Sequence, residues 1–160
     1  MDTAAFSALA MACAPLVHAS TAYALVAAES AFNPHAIGVV HGSLAHQPRS
    51  HAEALATTNN LQARGWNFSV GLAQINRNNF DRLGLTEATA LEPCTNLRAM
   101  QAVLIECFDR WASKSAPQAA LRRALSCYYS GNPVTGIRHG YVNRVARALP
   151  SARQRGSAPP

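Results

Sequence analysis

The chain has 160 residues, of which 49% are apolar and 14% charged, a balance that fits one compact domain rather than a disordered chain. Fourteen basic against eight acidic side chains leave a formal charge of +6, which suits an anionic partner. No base-stacking or groove-reading motif accompanies the charge, and no apolar run reaches the ~18 residues of a membrane span, so nucleic acid and a transmembrane segment are set aside and bacterial cell wall is retained.

The stretch "MDTAAFSALAMACAPLVHAS" has an apolar middle. "VHA" mimics a signal-peptide cleavage site, but Asp2 stands where a signal peptide carries basic residues, so the stretch reads as mostly mature protein. Thr3 to Ala12 is helix-prone and stops at "CAP". A second helix starts near Ser20 or Thr21, either of which caps it. Ala22, Leu25, Val26 and Glu29 recur at i, i+3, i+4 and i+7, so Glu29 continues the apolar face. Asn33-Pro34 ends that helix, because the residue before a proline is driven out of the α region. "AIGVVHGSLAHQP" reads as a short hairpin with His41-Gly42 at its turn. A helix follows from about Ser50 and stops at Gly65.

"WNFSVGLAQINRNNFDRLG" reads as an extended piece, a turn at Gly71 and then a helix. The longest helix begins at Thr95 or Asn96, with Leu97, Met100, Leu104, Cys107, Phe108 and Trp111 along one face. "SAPQ" breaks it, and Pro117 opens a helix continued by Leu121, Leu125 and Tyr128. "SGNPVTG" reads as a loop and "YVNRVARAL" as a last short helix. The sum is a mainly helical α+β domain over residues 1–150 with one small hairpin or sheet. The tail 151–160, "SARQRGSAPP", reads as basic and disordered.

Cys13, Cys94, Cys107 and Cys127 include no CxxC pair, which argues against a zinc ribbon or a redox motif. An even count in a small domain fits two disulfides and an oxidising compartment such as the periplasm; the alternative is four buried thiols. Cys107 and Cys127 lie on consecutive helices at comparable distances from the "SAP" break. Antiparallel packing of those helices would bring the two together and leave Cys13 to Cys94; four cysteines allow three connectivities, and sequence alone does not choose among them. His41, His46 and His51 straddle a turn, a proline and a helix start rather than sharing a helical face, so no metal is expected. No cofactor is expected either.

Three stretches carry candidate chemistry. Desolvation on an apolar face and a place in a last helical turn both raise the pKa of Glu29, which makes it a candidate general acid. The alternative is a structural glutamate paired with an arginine or capping a loop. In "SVGLAQIN", Gly71 allows close backbone approach, and the amides of Gln74 and Asn76 suit sugar hydroxyls and N-acetyl groups. The alternative there is a plain turn. In "ALSCYYSGNP", Tyr128 continues an apolar face, so its hydroxyl needs a partner: Glu29, or a backbone carbonyl.

Together the three resemble the transglycosylase domain of soluble lytic transglycosylases, whose fold is lysozyme-like. The family's Glu-Ser, Gly-Leu-x-Gln-Ile and Ala-Tyr-Asn-x-Gly motifs read here, in order, as Glu29-Ser30, Gly71-Leu72-Ala73-Gln74-Ile75 and Cys127-Tyr128-Tyr129-Ser130-Gly131. The resemblance runs from about Cys13 to Leu149. "CAPLVH", "AIGVV", "FSVGLAQIN", "EPCTNL" and "ALSCYYSGN" further resemble the VirB-type branch attached to type IV secretion systems. In one departure, Tyr129 stands at the motif's asparagine, with Asn132 close by.

The resemblance implies a periplasmic enzyme acting on peptidoglycan strands, with other secretion-system proteins as partners. Glu29 protonates the oxygen linking N-acetylmuramic acid to N-acetylglucosamine, and the muramic acetamido oxygen replaces a second carboxylate. Glu29 then takes the proton of the C6 hydroxyl, closing a 1,6-anhydro ring. Ser30, Gly71, Gln74, Asn76, Tyr128 and Tyr129 form the substrate-binding set. Glu53, Asp81, Glu87, Glu92, Glu106 and Asp109 sit in polar contexts and do not follow an apolar face as Glu29 does. The alternatives are a lysozyme-type hydrolase, which consumes water, and a non-catalytic peptidoglycan-binding scaffold.

Overall fold

A computed structural model describes residues 1–150. The tail expected to be disordered lies outside the described residues. These residues fall into two compact units, Met1–Pro15 with Glu29–Met100, and Leu16–Ala28 with the chain from Gln101 on. No helix among them is long and apolar enough to cross a membrane.

The first unit opens with α1 (Thr3–Cys13), whose N-cap Asp2 accepts from the amide of Ala5. It also receives the last residues of α2 (Ala19–Ser30). A three-stranded antiparallel sheet follows, built from β1 (Ile37–Val39), β2 (Phe68–Val70) and β3 (Ile75–Asn76) in that order. The register makes two rows. Ile37, Val70 and Ile75 align on one face and are buried; Gly38, Ser69 and Asn76 align on the other. The alternation follows from the two-residue period of a strand.

The segment after β1 departs from the expected hairpin. The chain does turn at His41, whose φ is 57°. The returning limb forms no strand, and β1 pairs instead with β2 across the intervening α3 (His51–Ala63). A single side chain does the work of the missing strand. The Gln47 amide accepts from the N–H of Ile37 and donates to its carbonyl, both at 2.8 Å. Pro48 follows directly and has no N–H to offer a ladder.

The helix at 51–63 begins where the sequence places it, with Ser50 accepting from the amide of Glu53. After the Gly71 turn the chain forms β3 and a 3-10 turn, Arg77–Asn79, before turning helical at α4 (Phe80–Leu83). The helix expected directly after the turn is delayed because Ile75 and Asn76 pair with Val70 and Ser69. Next come α5 (Glu87–Leu91), opened by a Thr86/Thr89 capping box, and the start of α6 (Pro93–Ala112). α6 begins slightly before the expected Thr95. Phe6, Ala54, Phe68, Leu72, Leu91, Leu97 and Met100 are among the residues this unit buries, and Cys13 is bonded to Cys94 within it.

The second unit holds most of α2, the rest of α6, and α7 (Pro117–Ser130), α8 (Thr135–Arg138) and α9 (Tyr141–Arg147). The loop expected over 130–136 gives way at Thr135 to the short α8. Its first amides are capped by Asn132, whose Oδ1 accepts from Val134 and Thr135 at 3.1 and 2.8 Å. Pro117 opens α7 as expected and Gly131 closes it in the left-handed region, φ 78°. α7 packs against α8 and α9. Buried Ser126 joins the first two: its hydroxyl donates to the Asn132 carbonyl at 2.9 Å and accepts from the Gly136 amide at 2.8 Å. Cys107 and Cys127 are bonded, with Cα atoms 5.8 Å apart.

Candidate active site

Glu29 is the next-to-last residue of α2. Ala22, Leu25 and Val26 on its face are fully buried, while Glu29 itself is half-buried. The acid therefore marks the point where an apolar stripe reaches a surface. The helix stops earlier than Asn33-Pro34 requires. Ala31 and Phe32 both take left-handed backbone, φ 49° and 63°. Two consecutive non-glycine residues in that region are costly, of order 1–3 kcal/mol each, and such strain clusters at functional sites. The Asn33 side chain then accepts from the amide of His35 at 2.9 Å, and the Phe32 ring meets Phe6 edge-on at 5.1 Å.

Ser30 ties this helix end to the second motif. Its hydroxyl donates to the Leu72 carbonyl at 2.7 Å. The turn it reaches is held from several sides. The Gly71 amide donates to Ala36 O at 2.9 Å, and the Gln74 side-chain nitrogen donates to both Ala36 O and Gly71 O at 3.0 Å. Gly71 has φ 78° and Gln74 has φ 49°. The first suits glycine; the second is another strained residue in the same turn.

One residue that sequence reasoning missed organises the turn from beneath. Asn96 on α6 is fully buried. Its Oδ1 accepts from the Ala73 amide at 2.8 Å, and its Nδ2 donates to Val70 O and Ala90 O at 2.9 and 2.7 Å. It therefore joins β2, the turn and α5. The available signal was an amide four residues before Met100 on an apolar helical face, the same kind of misfit that drew attention to Glu29.

The remaining residues of the expected set are placed as follows. Both Gln74 amide hydrogens serve backbone carbonyls, and its Oε1 lies over Gly38. Asn76 donates to Asn67 Oδ1 at 2.9 Å and Ser69 Oγ at 3.2 Å, and accepts from the Asn78 amide at 3.0 Å. Ser30, Gly71, Gln74 and Asn76 thus belong to one connected region of the first unit. In the second unit, Tyr128 is half-buried on α7 and Tyr129 is exposed beside it. The Tyr129 ring stacks on buried Tyr141 with centroids 4.6 Å apart and meets His139 edge-on at 6.1 Å.

The other acids are placed differently. Asp81, Glu92, Glu106 and Asp109 are exposed. Glu53 accepts from the Arg49 amide at 2.8 Å, and Glu87 lies in the first turn of α5. Among the described residues, no three histidine, cysteine or carboxylate side chains gather where a metal ion would sit.

Residues 7–140 match the family model of the transglycosylase SLT domain. The chain is 48% identical over 147 residues to the type IV secretion system protein virB1 of Brucella abortus biovar 1, covering 88% of this chain and 62% of that protein. It is 36% identical over 152 residues to protein virB1 of Rhizobium radiobacter, covering 94% of this chain and 63% of the relative. Against protein virB1 of Agrobacterium fabrum the identity is 36% over 149 residues, covering 92% and 60%. The chain thus spans less than two thirds of the length of these relatives. No solved structure matches it. With the Glu-Ser pair closing a helix, the Gly-Leu-x-Gln-Ile turn tied to it through Ser30, and a family match over most of its length, the chain belongs to the transglycosylase SLT domain family.

Proposed function

We propose that the protein is a lytic transglycosylase that cleaves the β-1,4 bond between N-acetylmuramic acid and N-acetylglucosamine in peptidoglycan, leaving a 1,6-anhydromuramic end. The observation that carries this reading is the placement of Glu29. It is half-buried at the end of an apolar helical stripe, and the next residue anchors the Gly71 turn.

One carboxyl group suffices for this chemistry. Glu29 gives its proton to the glycosidic oxygen as the bond breaks, and the muramic acetamido oxygen attacks the anomeric carbon from the opposite face. Glu29, now ionised, takes the proton of the C6 hydroxyl, which displaces the acetamido oxygen and closes the anhydro ring. Bonds and protons balance without water. Gln74 contributes an acceptor rather than a donor, because both its amide hydrogens are committed to Ala36 and Gly71. Its Oε1 suits an acetamido N–H of the substrate. Tyr129 offers an exposed aromatic face to a sugar ring.

The similarity to virB1 proteins supports a role in local opening of the cell wall for a type IV secretion system, with the components of that system as partners. Two disulfides suit the periplasm, where such a wall lies. Digestion of purified sacculi followed by mass spectrometry tests the reaction. Muropeptides lacking one water are expected. Reducing ends would show a hydrolase, and an absence of products would show a binding protein.

A further inference from the structure

A separate groove lies within the first unit, along α3. Glu53, Thr57, Asn60 and Arg64 line it at i, i+4, i+7 and i+11, which places them on one helical face. At 1.5 Å per residue that stripe runs for about 16 Å. Val39, the segment Gly42 to Leu44, and Trp66 line it as well, enclosing about 490 Å³. That volume is in the range of small-molecule sites. Leu61 is buried among the lining residues, while Trp66 remains 38% exposed.

The polar groups divide into committed and free. Glu53 accepts from the Arg49 amide at 2.8 Å and lies 3.6 Å from His46 Nδ1. The Thr57 hydroxyl donates to the Glu53 carbonyl at 2.8 Å. Among the described residues, no protein group holds the Asn60 side-chain amide, the Arg64 guanidinium or the Trp66 indole N–H. One end of the groove therefore presents an aromatic ring, an open amide and an open cation above an apolar floor. An indole face stacks on the apolar side of a pyranose, an amide matches an acetamido group, and a guanidinium takes a carboxylate in bidentate fashion. A sugar that carries an acetamido group and an attached peptide ending in a carboxylate uses all three.

We propose that this groove is an accessory site for an N-acetylmuramyl unit, with its pyranose on Trp66 and a stem-peptide carboxylate on Arg64. It lies across the sheet from Gln74. Val39 lines the groove, while a Cβ on the preceding Gly38 would point at Gln74 Oε1, 2.8 Å away; successive strand positions face opposite sides. A unit held here is therefore not the unit being cut, and the site keeps the protein on its polymer between cuts. The identity of the ligand's source rests on the cell-wall reading above, whereas the binding itself needs no cleavage.

The test is a titration of the isotope-labelled protein by 1H–15N NMR with muramyl dipeptide, and with N-acetylchitotriose as a sugar that lacks the carboxylate. The dipeptide is expected to shift the Trp66 indole N–H and the Asn60 side-chain amide. Arg64→Ala should weaken dipeptide binding about tenfold or more, as expected for a charge-assisted hydrogen bond, with chitotriose binding little changed. Trp66→Ala should remove both. Arg64 is exposed, so the thermal melt of Arg64→Ala should match the parent, and the melt of Trp66→Ala separates lost binding from lost folding. Absence of shifts at Trp66 and Asn60, or an Arg64→Ala protein that binds the dipeptide as well as the parent, overturns the proposal. So does a Trp66 signal that moves with protein concentration in the absence of sugar, which would seat a second copy in the groove. A protein that releases no products from sacculi yet binds the dipeptide at Trp66 refutes the enzymatic reading and supports this one.

Discussion

Asn96 occupies the space that a side chain at position 71 would need. A Cβ built on Gly71 would stand 2.8 Å from Asn96 Cγ, and Gly71 also has φ 78°. The turn that carries Gln74 is therefore defined by two residues that only fit together in this form. The conformation admits a residue without a side chain, and the amide below it fills the vacated volume while bonding to three backbone groups.

This relationship predicts non-additivity. Asn96→Ala should destabilise the protein by about 2–4 kcal/mol, since it strands buried backbone groups. Gly71→Ala should cost about 1–3 kcal/mol through backbone strain, plus the clash with Asn96. In the double variant the clash is absent. Its loss of stability in urea melts should fall short of the sum of the single losses by at least 0.5 kcal/mol, the threshold for coupled neighbours. A strictly additive result would show that the two residues do not share this space.

Glu29→Gln should leave the fold intact and lower the release of anhydromuropeptides about 10³-fold or more, because an amide cannot supply the proton. Product mass on sacculi measures the loss, and far-ultraviolet circular dichroism checks the fold. Turnover near that of the parent would remove Glu29 from its role.

Gly38→Ala tests the carbonyl end of Gln74. The new methyl would lie 2.8 Å from Gln74 Oε1, so that the amide must shift. Steady-state assays should show a weaker KM or a kcat lowered by about tenfold, the scale of one lost hydrogen bond. In a Gln74→Ala background the same substitution should have little further effect. An undiminished effect there would show that Gly38 acts by another route.

Removing either disulfide should lower stability, and by different amounts. Chain-entropy arguments assign about 4.5 kcal/mol to the Cys13–Cys94 loop and about 3 kcal/mol to the Cys107–Cys127 loop, for separations of 81 and 20 residues. Denaturant titrations of the paired serine variants give the comparison. A larger loss for the shorter loop would show that native contacts around Cys107, rather than loop length, dominate.

Much of this was legible in the residues. The i, i+3, i+4, i+7 pattern from Ala22 to Glu29 described a helix whose first three face residues are buried and whose last is half-buried. Ser50, Gly65 and Pro117 marked helix ends because each acts through local backbone chemistry. Pairings over long sequence distances were harder. The strand 37–39 looked like one arm of a local hairpin, yet its partner lies beyond a helix. Local pattern holds no record of Gln47 standing in for a strand. Asn96 was read only as a possible helix start, for the related reason that its partners, at Val70, Ala73 and Ala90, are between six and 26 residues away.

The two disulfides join the first cysteine to the second and the third to the fourth. For a chain that is oxidised as it emerges from its amino end, each thiol thus meets its native mate as the next one to appear. No thiol must be withheld while a later partner is made. An oxidase that simply couples successive cysteines along this stretch produces both of these bonds without any later exchange between them.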